Sequence, residues 1–548
     1  MRWIENFTYT VLNDKKKQFL VLLGTVVIFL VTIMLIPTEI VLAKMLPSKD
    51  SNTFTIYLDM DEDTSVYKTK EVASCIVDEL KKEESVVDIE TFIGESSPVD
   101  IGGLVKGQPM KQGRNIAEIV VNLLSSDDGR DEYSFALVHR LRPVIKESCE
   151  VEGSNIKFVE PPAGPPVLAS VVAEVYGKPD MIEPISKDVA EVFKNTEGLV
   201  DVDVMDDSSF KVYKLAPINE KIAKSGLNVK QVNQILYLGF EGMSVAVQNS
   251  KSNFGQIPLF VRVSDGDREM DATLESVKSK LSQLKLMNTQ GMLVPLSSVV
   301  DIEPTENAKT IFSKNLAQYI NVVAETDMVS QVYPLLEARE KLKELLGRNY
   351  EVENADMFNL KITDKDSGEI AKIVWDGEMK VSLDTFADLG GAFIAALILI
   401  FLLMVVYYKS FALSGIVLLG SFLSIIGVIW GHLLVDIVMT HTFFLTATSL
   451  IGYIALIGIS SRNSLLLIDF AKALIEKGVE KDRAIAIAVA TRTRPILLTA
   501  GAIILASTVL INDAVFGGLG VALMFGTVAA VIASLLVVPV LMGKARLS

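Results

Sequence analysis

Residues 389–542 consist of apolar runs, and one of those runs carries a positive charge in its middle. The runs 389–408, 411–430, 443–471, 495–511 and 515–542 are each long enough to cross a hydrocarbon core of ~30 Å as a helix. With 19–36 near the start of the chain they make six candidate spans. Within 443–471 stands Ile457-Gly458-Ile459-Ser460-Ser461-Arg462-Asn463-Ser464-Leu465-Leu466-Leu467-Ile468-Asp469-Phe470. An unpaired charge at that depth costs at least ~2.5–3.5 kcal/mol. A chain keeps such an arginine when it faces a carboxylate or a wet cavity inside a bundle, which marks an ion or proton pathway. The other reading is a structural ion pair that closes the bundle.

The chain between these apolar blocks is of another kind. Hydrophobic residues make up 50% of the sequence and the mean hydropathy is +0.39, too apolar for an ordinary soluble enzyme, yet residues 47–388 are polar. Residues 1–44 and 389–548 together carry fifteen Lys or Arg and nine Asp or Glu, so the total charge of −15 leaves −21 for residues 45–388. An acidic soluble region lacks the basic face that phosphate backbones need, which argues against a nucleic-acid partner. Positive charge marks cytoplasmic ends. Lys15, Lys16 and Lys17 precede the first span, Lys409 follows the second, six basic residues lie between 472 and 494, and Lys544 and Arg546 close the chain. The alternate connections carry Asp436 and His441, or Asn512 and Asp513. The expected topology is N-in and C-in, with residues 37–388 outside the cytoplasmic membrane.

Residues 1–18 mix Trp3, Ile4, Phe7, Val11 and Leu12 with polar residues, as a short amphipathic helix at a membrane surface does. The run 19–36 exceeds the usual ~7–15 residues of a signal-peptide core and no small-x-small cleavage site follows, so it reads as a retained anchor. The polar region repeats one pattern. Strand-helix-strand units are expected over 53–93, 116–160, 167–205 and 310–355, which suggests two α+β layers, each with helices on one face of an antiparallel sheet. Glu160-Pro161-Pro162-Ala163-Gly164-Pro165-Pro166 marks the boundary between them. Residues 210–304 differ in texture and include a helix at 228–237, a polar stretch at 239–256 and strands at 257–263 and 292–296. This segment is either a docking module or a plain surface insertion. Cys75 and Cys149 are too few for a disulfide framework or a metal cluster; they read as two buried structural thiols, the alternative being a pair formed in an oxidising compartment.

No Gly-x-x-x-x-Gly-Lys-Ser/Thr loop is present to hold ATP, the three histidines do not have metal-site spacing, and no hydrolase constellation stands out. Transport remains, or a scaffold that serves it. Arg462 and Asp469 are seven residues apart, on one helix face but ~10 Å from each other, too far to pair. Asp469 reads as structural more readily than functional. Thr448 with Gly452, and Ser460 with Ser464, are small residues four apart that let a neighbouring helix approach, so this span belongs at the centre of a bundle. In Thr491-Arg492-Thr493-Arg494-Pro495-Ile496-Leu497-Leu498-Thr499 the proline suits a helix start, with Arg492 and Arg494 anchored in the cytoplasmic interface. The Thr499 hydroxyl either bonds a carbonyl of its own helix or reaches across to a relay group.

The stretch Gly458 to Ala471, with Arg492-Thr493-Arg494-Pro495-Ile496-Leu497-Leu498-Thr499, Phe516-Gly517-Gly518-Leu519-Gly520-Val521-Ala522 and Val537-Val538-Pro539-Val540, resembles the C-terminal half of a resistance-nodulation-division (RND) efflux permease of the hydrophobe and amphiphile type. Tyr407-Tyr408-Lys409-Ser410-Phe411 resembles a turn between two spans of that family, and Gly164-Pro165-Pro166 the lead into its second porter part. The resemblance implies a six-helix membrane bundle with a large α+β periplasmic domain of ferredoxin-like porter subdomains. By that layout 1–18 is interfacial, 19–36 the first transmembrane helix, 50–163 the first porter subdomain, 164–209 with 306–365 the second, 210–305 an inserted docking subdomain, and 389–542 transmembrane helices two to six. It implies a trimeric, proton-driven exporter of amphiphilic or hydrophobic compounds in a bacterial inner membrane. Such a pump uses the proton motive force and no cofactor, and works among membrane lipids with a periplasmic adaptor and an outer-membrane channel.

Within that family a lysine faces paired aspartates of the N-terminal half, with a threonine nearby; Arg462 and Thr499 occupy the matching positions, and Asn463 completes the expected relay network, with Asp469 a lesser member. Two departures follow. Arginine stays charged at any relevant pH, so Arg462 would be a counter-ion and not a proton carrier. No span here contains Asp-Asp, so the expectation is a split pump with the acidic half on a separate, N-terminal-half subunit. Export of metal ions, or a membrane-anchored scaffold that transports nothing, are the competing readings.

Overall fold

A computed structural model describes residues 2–108, 111–251, 255–264, 273–439 and 442–545. His441 and Arg546, used above to orient the spans, and part of the polar stretch 239–256 lie outside the described residues. The chain forms two compact units: Met1–Asp206 with Ile311–Ser548, and Asp207–Thr310.

Two helices open the chain, α1 (Arg2–Leu12) and α2 (Lys15–Met34). Asp14 parts them, its carboxylate accepting from the Lys16 N–H to cap α2. After α2 the first sheet begins. It is made of β1 (Thr53–Met60), α3 (Val66–Leu80), β2 (Val86–Ile93), β3 (Ile116–Leu123), α4 (Ser134–Cys149) and β4 (Ser154–Val159), with antiparallel strands in the order β2-β3-β1-β4. Strand alternation sends Phe54, Ile56 and Leu58 to one face, where they meet Ile76 of α3 and Leu141 and Ile145 of α4. Cys75 and Cys149 are joined in a disulfide, which corrects the expectation of two separate thiols. Residues 74 apart become neighbours because α3 and α4 lie side by side on the same sheet face.

The second sheet starts with β5 (Val171–Tyr176), α5 (Pro179–Lys194) and β6 (Leu199–Val204). The chain then builds the other unit, from β7 (Lys211–Pro217), α6 (Val229–Phe240), β8 (Met243–Gln248), β9 (Ile257–Val261), α7 (Leu274–Gln283), β10 (Lys285–Met287), β11 (Leu293–Pro295) and β12 (Val300–Glu306). β7 and β12 pair antiparallel, closing this unit at its two ends, and Val232, Leu281 and Leu296 centre its core. β8 and β9 pair with each other and are exposed over nearly their whole length.

On return, β13 (Phe312–Lys314), β14 (Ala317–Thr326), α8 (Val332–Leu346), β15 (Tyr350–Asn354), β16 (Leu360–Asp364) and β17 (Ile370–Asp376) complete the second sheet in the order β13-β14-β5-β17-β16-β15, with β6 also on β14. β17 lies between β5 and β16 and was not expected from sequence. Its inward residues are Ala371, Ile373 and Trp375, and the apolar Ile370 and Val374 on the other face of Ile-Ala-Lys-Ile-Val-Trp-Asp blur the alternation.

β17 passes directly into a membrane helix through Gly377. That glycine has φ +80°, and a Cβ there would meet the Ala169 carbonyl at 2.4 Å. The helices that follow are α9 (Glu378–Tyr408), α10 (Phe411–Phe422), α11 (Ile425–Val438), α12 (Ala447–Glu476), α13 (Lys481–Thr508), α14 (Gly517–Ile532) and α15 (Val538–Lys544). α10 with α11, and α14 with α15, each make one span, so six helical segments among the described residues are long and apolar enough to cross a membrane. A π-helical turn at Ala533–Val537 joins α14 to α15.

Two helices begin before their apolar runs. α9 has 31 residues, ~46 Å of helix, and its polar first turns rise from the sheet. α13 starts at Lys481, so Pro495 sits inside the helix and Arg492 and Arg494 in its middle turns, not at its start as the proline suggested. Ala484, Ala486, Ala488 and Ala490 are strong helix formers packed in the interior, and they outweigh the one hydrogen bond that Pro495 removes. α1 lies against this first half of α13 and buries Val11 and Leu12.

Candidate functional site

α12 is set by its own ends. Thr446 caps it, accepting from the Ser449 N–H while the Ser449 hydroxyl accepts from the Thr446 N–H. The helix packs against α9, α10, α13 and α14. A Cβ on Gly452 would stand 3.0 Å from Leu519 and 3.1 Å from Ala522, so this small residue admits α14 as its spacing predicted. Ser464 faces Ser534 of the π-helical turn at 3.5 Å.

One face of α12 is left uncovered. Between 448 and 468 its exposed residues are Ile451, Ala455, Gly458, Arg462 and Leu466, in steps of four, three, four and four that trace a single helical stripe. Arg462 stands in the middle of it and makes no hydrogen bond or ion pair among the described residues. Nothing lies within 4 Å of a Cβ built on Gly458, one turn away.

The other expected members of the network are dispersed. Asn463 is buried, 7% exposed. Asp469 accepts a hydrogen bond from Tyr407 of α9 at 3.0 Å, while Tyr408 donates to the Leu465 carbonyl at 3.2 Å. The Thr499 hydroxyl turns back on its own helix, 3.0 Å from the Ile496 carbonyl and 3.2 Å from that of Pro495. Of the two readings of Thr499, the geometry has the intrahelical one.

The bundle also holds a polar cluster that sequence reasoning passed over. His432 of α11 is fully buried, with Nδ1 2.7 Å from the Val428 carbonyl and Nε2 2.8 Å from the Ser449 hydroxyl. A carbonyl only accepts, so Nδ1 carries the proton and Nε2 accepts from Ser449. Thr446 continues the chain of hydroxyls to Thr448 at 2.8 Å, and Thr448 donates to the Val515 carbonyl at 2.9 Å. A histidine in an otherwise apolar run was the available signal.

Outside the bundle, a cavity of 670 Å³ lies between the two sheets, floored by Lys44 and Glu378 and walled by the proline-rich link. Lys106, Arg142, Glu160 and Glu325 enter it. Burial pushes the Glu160 carboxyl up to about 7 against the opposing pull of Arg142. Burial acts on Glu325 in the same sense but is outweighed, chiefly by Lys106, and its carboxyl is held below the usual range.

The sequence pattern of the AcrB/AcrD/AcrF family matches residues 3–545. Multidrug export protein AcrF of Escherichia coli (strain K12) is 23% identical over 540 residues, 95% of this chain and 46% of AcrF. Swarming motility protein SwrC of Bacillus subtilis (strain 168) is 25% identical over 381 residues, 67% of this chain and 32% of SwrC. Cobalt-zinc-cadmium resistance protein CzcA of Cupriavidus metallidurans is 22% identical over 380 residues, 66% of this chain and 32% of CzcA. The crystal structure of a heavy metal efflux pump superposes on 99% of this chain and 52% of that chain with a TM-score of 0.74 at 17% identity. The chain thus spans about a third to a half of the length of these relatives.

Proposed function

The chain belongs to the AcrB/AcrD/AcrF family, that of the RND permeases, and on that premise we propose that it forms the C-terminal-half part of a proton-driven exporter of amphiphilic or hydrophobic compounds. The observation that carries this reading is the unpaired Arg462 on the uncovered stripe of α12. An arginine on an uncovered face within a span calls for carboxylates from a neighbour. The proposed neighbour is a homologous N-terminal-half subunit with intramembrane aspartates, docked on this stripe. Proton uptake by those aspartates would release the arginine and redistribute the helices, with Arg462 a counter-ion throughout. Trimeric assembly, a periplasmic adaptor and an outer-membrane channel belong to the same proposal, as does an inner membrane with the sheets on the periplasmic side.

Metal-ion export is the second reading, favoured by the likeness to CzcA. Among the described residues no group of three or more His, Cys, Asp or Glu is disposed to hold a metal ion. The test is export from cells carrying the native complex, with a fluorescent amphiphilic dye and with cobalt or zinc as alternative cargoes. Arg462→Ala should abolish dye export while the complex is still recovered from the membrane. Undiminished export in that variant would favour a scaffold role, and loss of metal export alone would favour the second reading.

A further inference from the structure

Two of the spans are broken at one depth. α10 stops at Phe422 and α11 starts at Ile425, and between them the Ser424 and Ile426 N–H groups bond three residues back, to the Ser421 and Leu423 carbonyls at 3.2 Å, instead of four. The Phe422 carbonyl, deprived of its usual donor, accepts from the Tyr453 hydroxyl of α12 at 2.9 Å. The Gly420 carbonyl loses its usual donor, the Ser424 N–H, in the same way. The second break is the π-helical turn at Ala533–Val537, a rare form that gathers at functional sites. Irregular backbone at membrane depth persists only where protein or a polar cavity surrounds it.

Close contacts set the two breaks opposite each other. A Cβ on Gly526 of α14 would lie 2.3 Å from Leu456 of α12 and 3.0 Å from Val428 of α11, and one on Gly420 of α10 would lie 3.6 Å from the Ser464 hydroxyl and 2.6 Å from Val538. Ser460 stands midway between Leu456 and Ser464 on α12, as Ser424 does between Val428 and Gly420, so both belong to the layer between these contacts. Thr527 enters that layer from one side and Ser534, 3.5 Å from Ser464, from the other.

The layer is polar and sealed. Ser424, Ser460, Ser464 and Ser534 are 0% exposed and Thr527 2%. A hydroxyl buried in a helix ordinarily bonds the carbonyl four residues back, as Ser421 does to Val417 at 3.0 Å. The Ser460 and Thr527 hydroxyls have no partner among the described residues. Buried polar groups are otherwise hydrogen-bonded, so two such hydroxyls in one layer call for an occupant. Hydroxyls and a carbonyl released from its helix are oxygen donors, which suit a hard cation. No Asp or Glu occurs in 411–435, 447–468 or 517–543, so the charge they can offset is small. Arg462 stands on the opposite, uncovered face of α12.

We propose that Ser460, Ser464, Thr527, Ser534 and the Gly420 carbonyl form a site for a monovalent cation of sodium's size at the centre of the bundle. The inference does not depend on which compound is exported, on proton coupling or on a partner half-chain.

The test is the melting temperature of the purified full chain as sodium replaces choline at constant ionic strength. Sodium should raise it by a few degrees, saturably, with potassium less effective. Ser460→Ala and Thr527→Val are each expected to raise the half-saturating sodium concentration about tenfold or more. Thr527→Ser, which keeps the hydroxyl, and Ser461→Ala, whose hydroxyl is already engaged with the Gly458 carbonyl at 3.0 Å, should respond as the parent does. Ser534→Ala reads the same loss if the first two variants do not fold. Coincident melts of the parent in sodium and choline, the result if water alone fills the layer, overturn the site. So does a parent-like sodium response in folded Ser460→Ala, Thr527→Val or Ser534→Ala.

Discussion

Tyr407, at the end of α9, donates a hydrogen bond of 3.0 Å to Asp469 on α12. The bond ties the helix that descends from the second sheet to the helix that carries Arg462. Asp469 is therefore already engaged within the chain, whereas Arg462 is not. Tyr407→Phe and Asp469→Asn are each expected to lower the melting temperature by a few degrees, since an exposed bond to a carboxylate contributes less than the ~1.5–3 kcal/mol of a sheltered one. The double variant should be no worse than the poorer single one, and export should persist in all three. Additive losses in the melts would separate the two residues.

Arg462 is expected to behave differently. Arg462→Lys keeps the charge but loses the two-pronged grip on a carboxylate, and should retain reduced export. Arg462→Gln should retain none. Dye efflux rates at equal membrane abundance check the order Arg, Lys, Gln. Thr499→Val, which removes only an intrahelical bond, should stay within a factor of about two of the parent.

The disulfide closes a stretch of 74 residues between α3 and α4. Replacing both Cys75 and Cys149 by serine should cost about 4 kcal/mol on the chain-entropy account. Thermal melts with and without reductant measure it: reductant should destabilise the parent and leave the serine variant unmoved.

Glu160 predicts a pH dependence. Its carboxyl titrates at about 7 in the folded protein against 4.5 ordinarily. Between those values the unfolded chain has lost the proton while the folded one keeps it, so this group's contribution to stability falls as pH rises from 4.5 to about 7 and stays low above that. Glu160→Gln should therefore melt higher than the parent near pH 8, by about 2 kcal/mol, and equal to it near pH 4. Equal melts at both pH values would contradict the assignment.

Gly377→Ala should be damaging where Gly390→Ala is not. The first adds a Cβ 2.4 Å from the Ala169 carbonyl at a positive φ, and the second meets nothing within 4 Å. Recovery of folded protein from membranes, compared between the two, checks this directly.

Much of this protein is legible one residue after another. Hydropathy located the six spans because burial in lipid demands long apolar runs, and strand alternation located β1 and β2 to the residue because one face of each sheet is packed and the other is not. Arg462 declared itself because a charge in such a run is costly wherever it lies. Other features depend on how distant segments meet, and no local pattern encodes that. The starts of α9 and α13 were decided by packing around polar turns and around Pro495. Cys75 and Cys149 became partners because two helices share a sheet face, His432 was given a proton inventory by Val428 and Ser449, and Asp201 acquired its donors only when two strand edges came together. Sequence thus determined which parts seek lipid and which form sheets, since those preferences are local free energies of transfer and of backbone conformation. Tertiary structure alone decided which charges are satisfied, because pairing across a joint depends on positions that hundreds of residues set jointly.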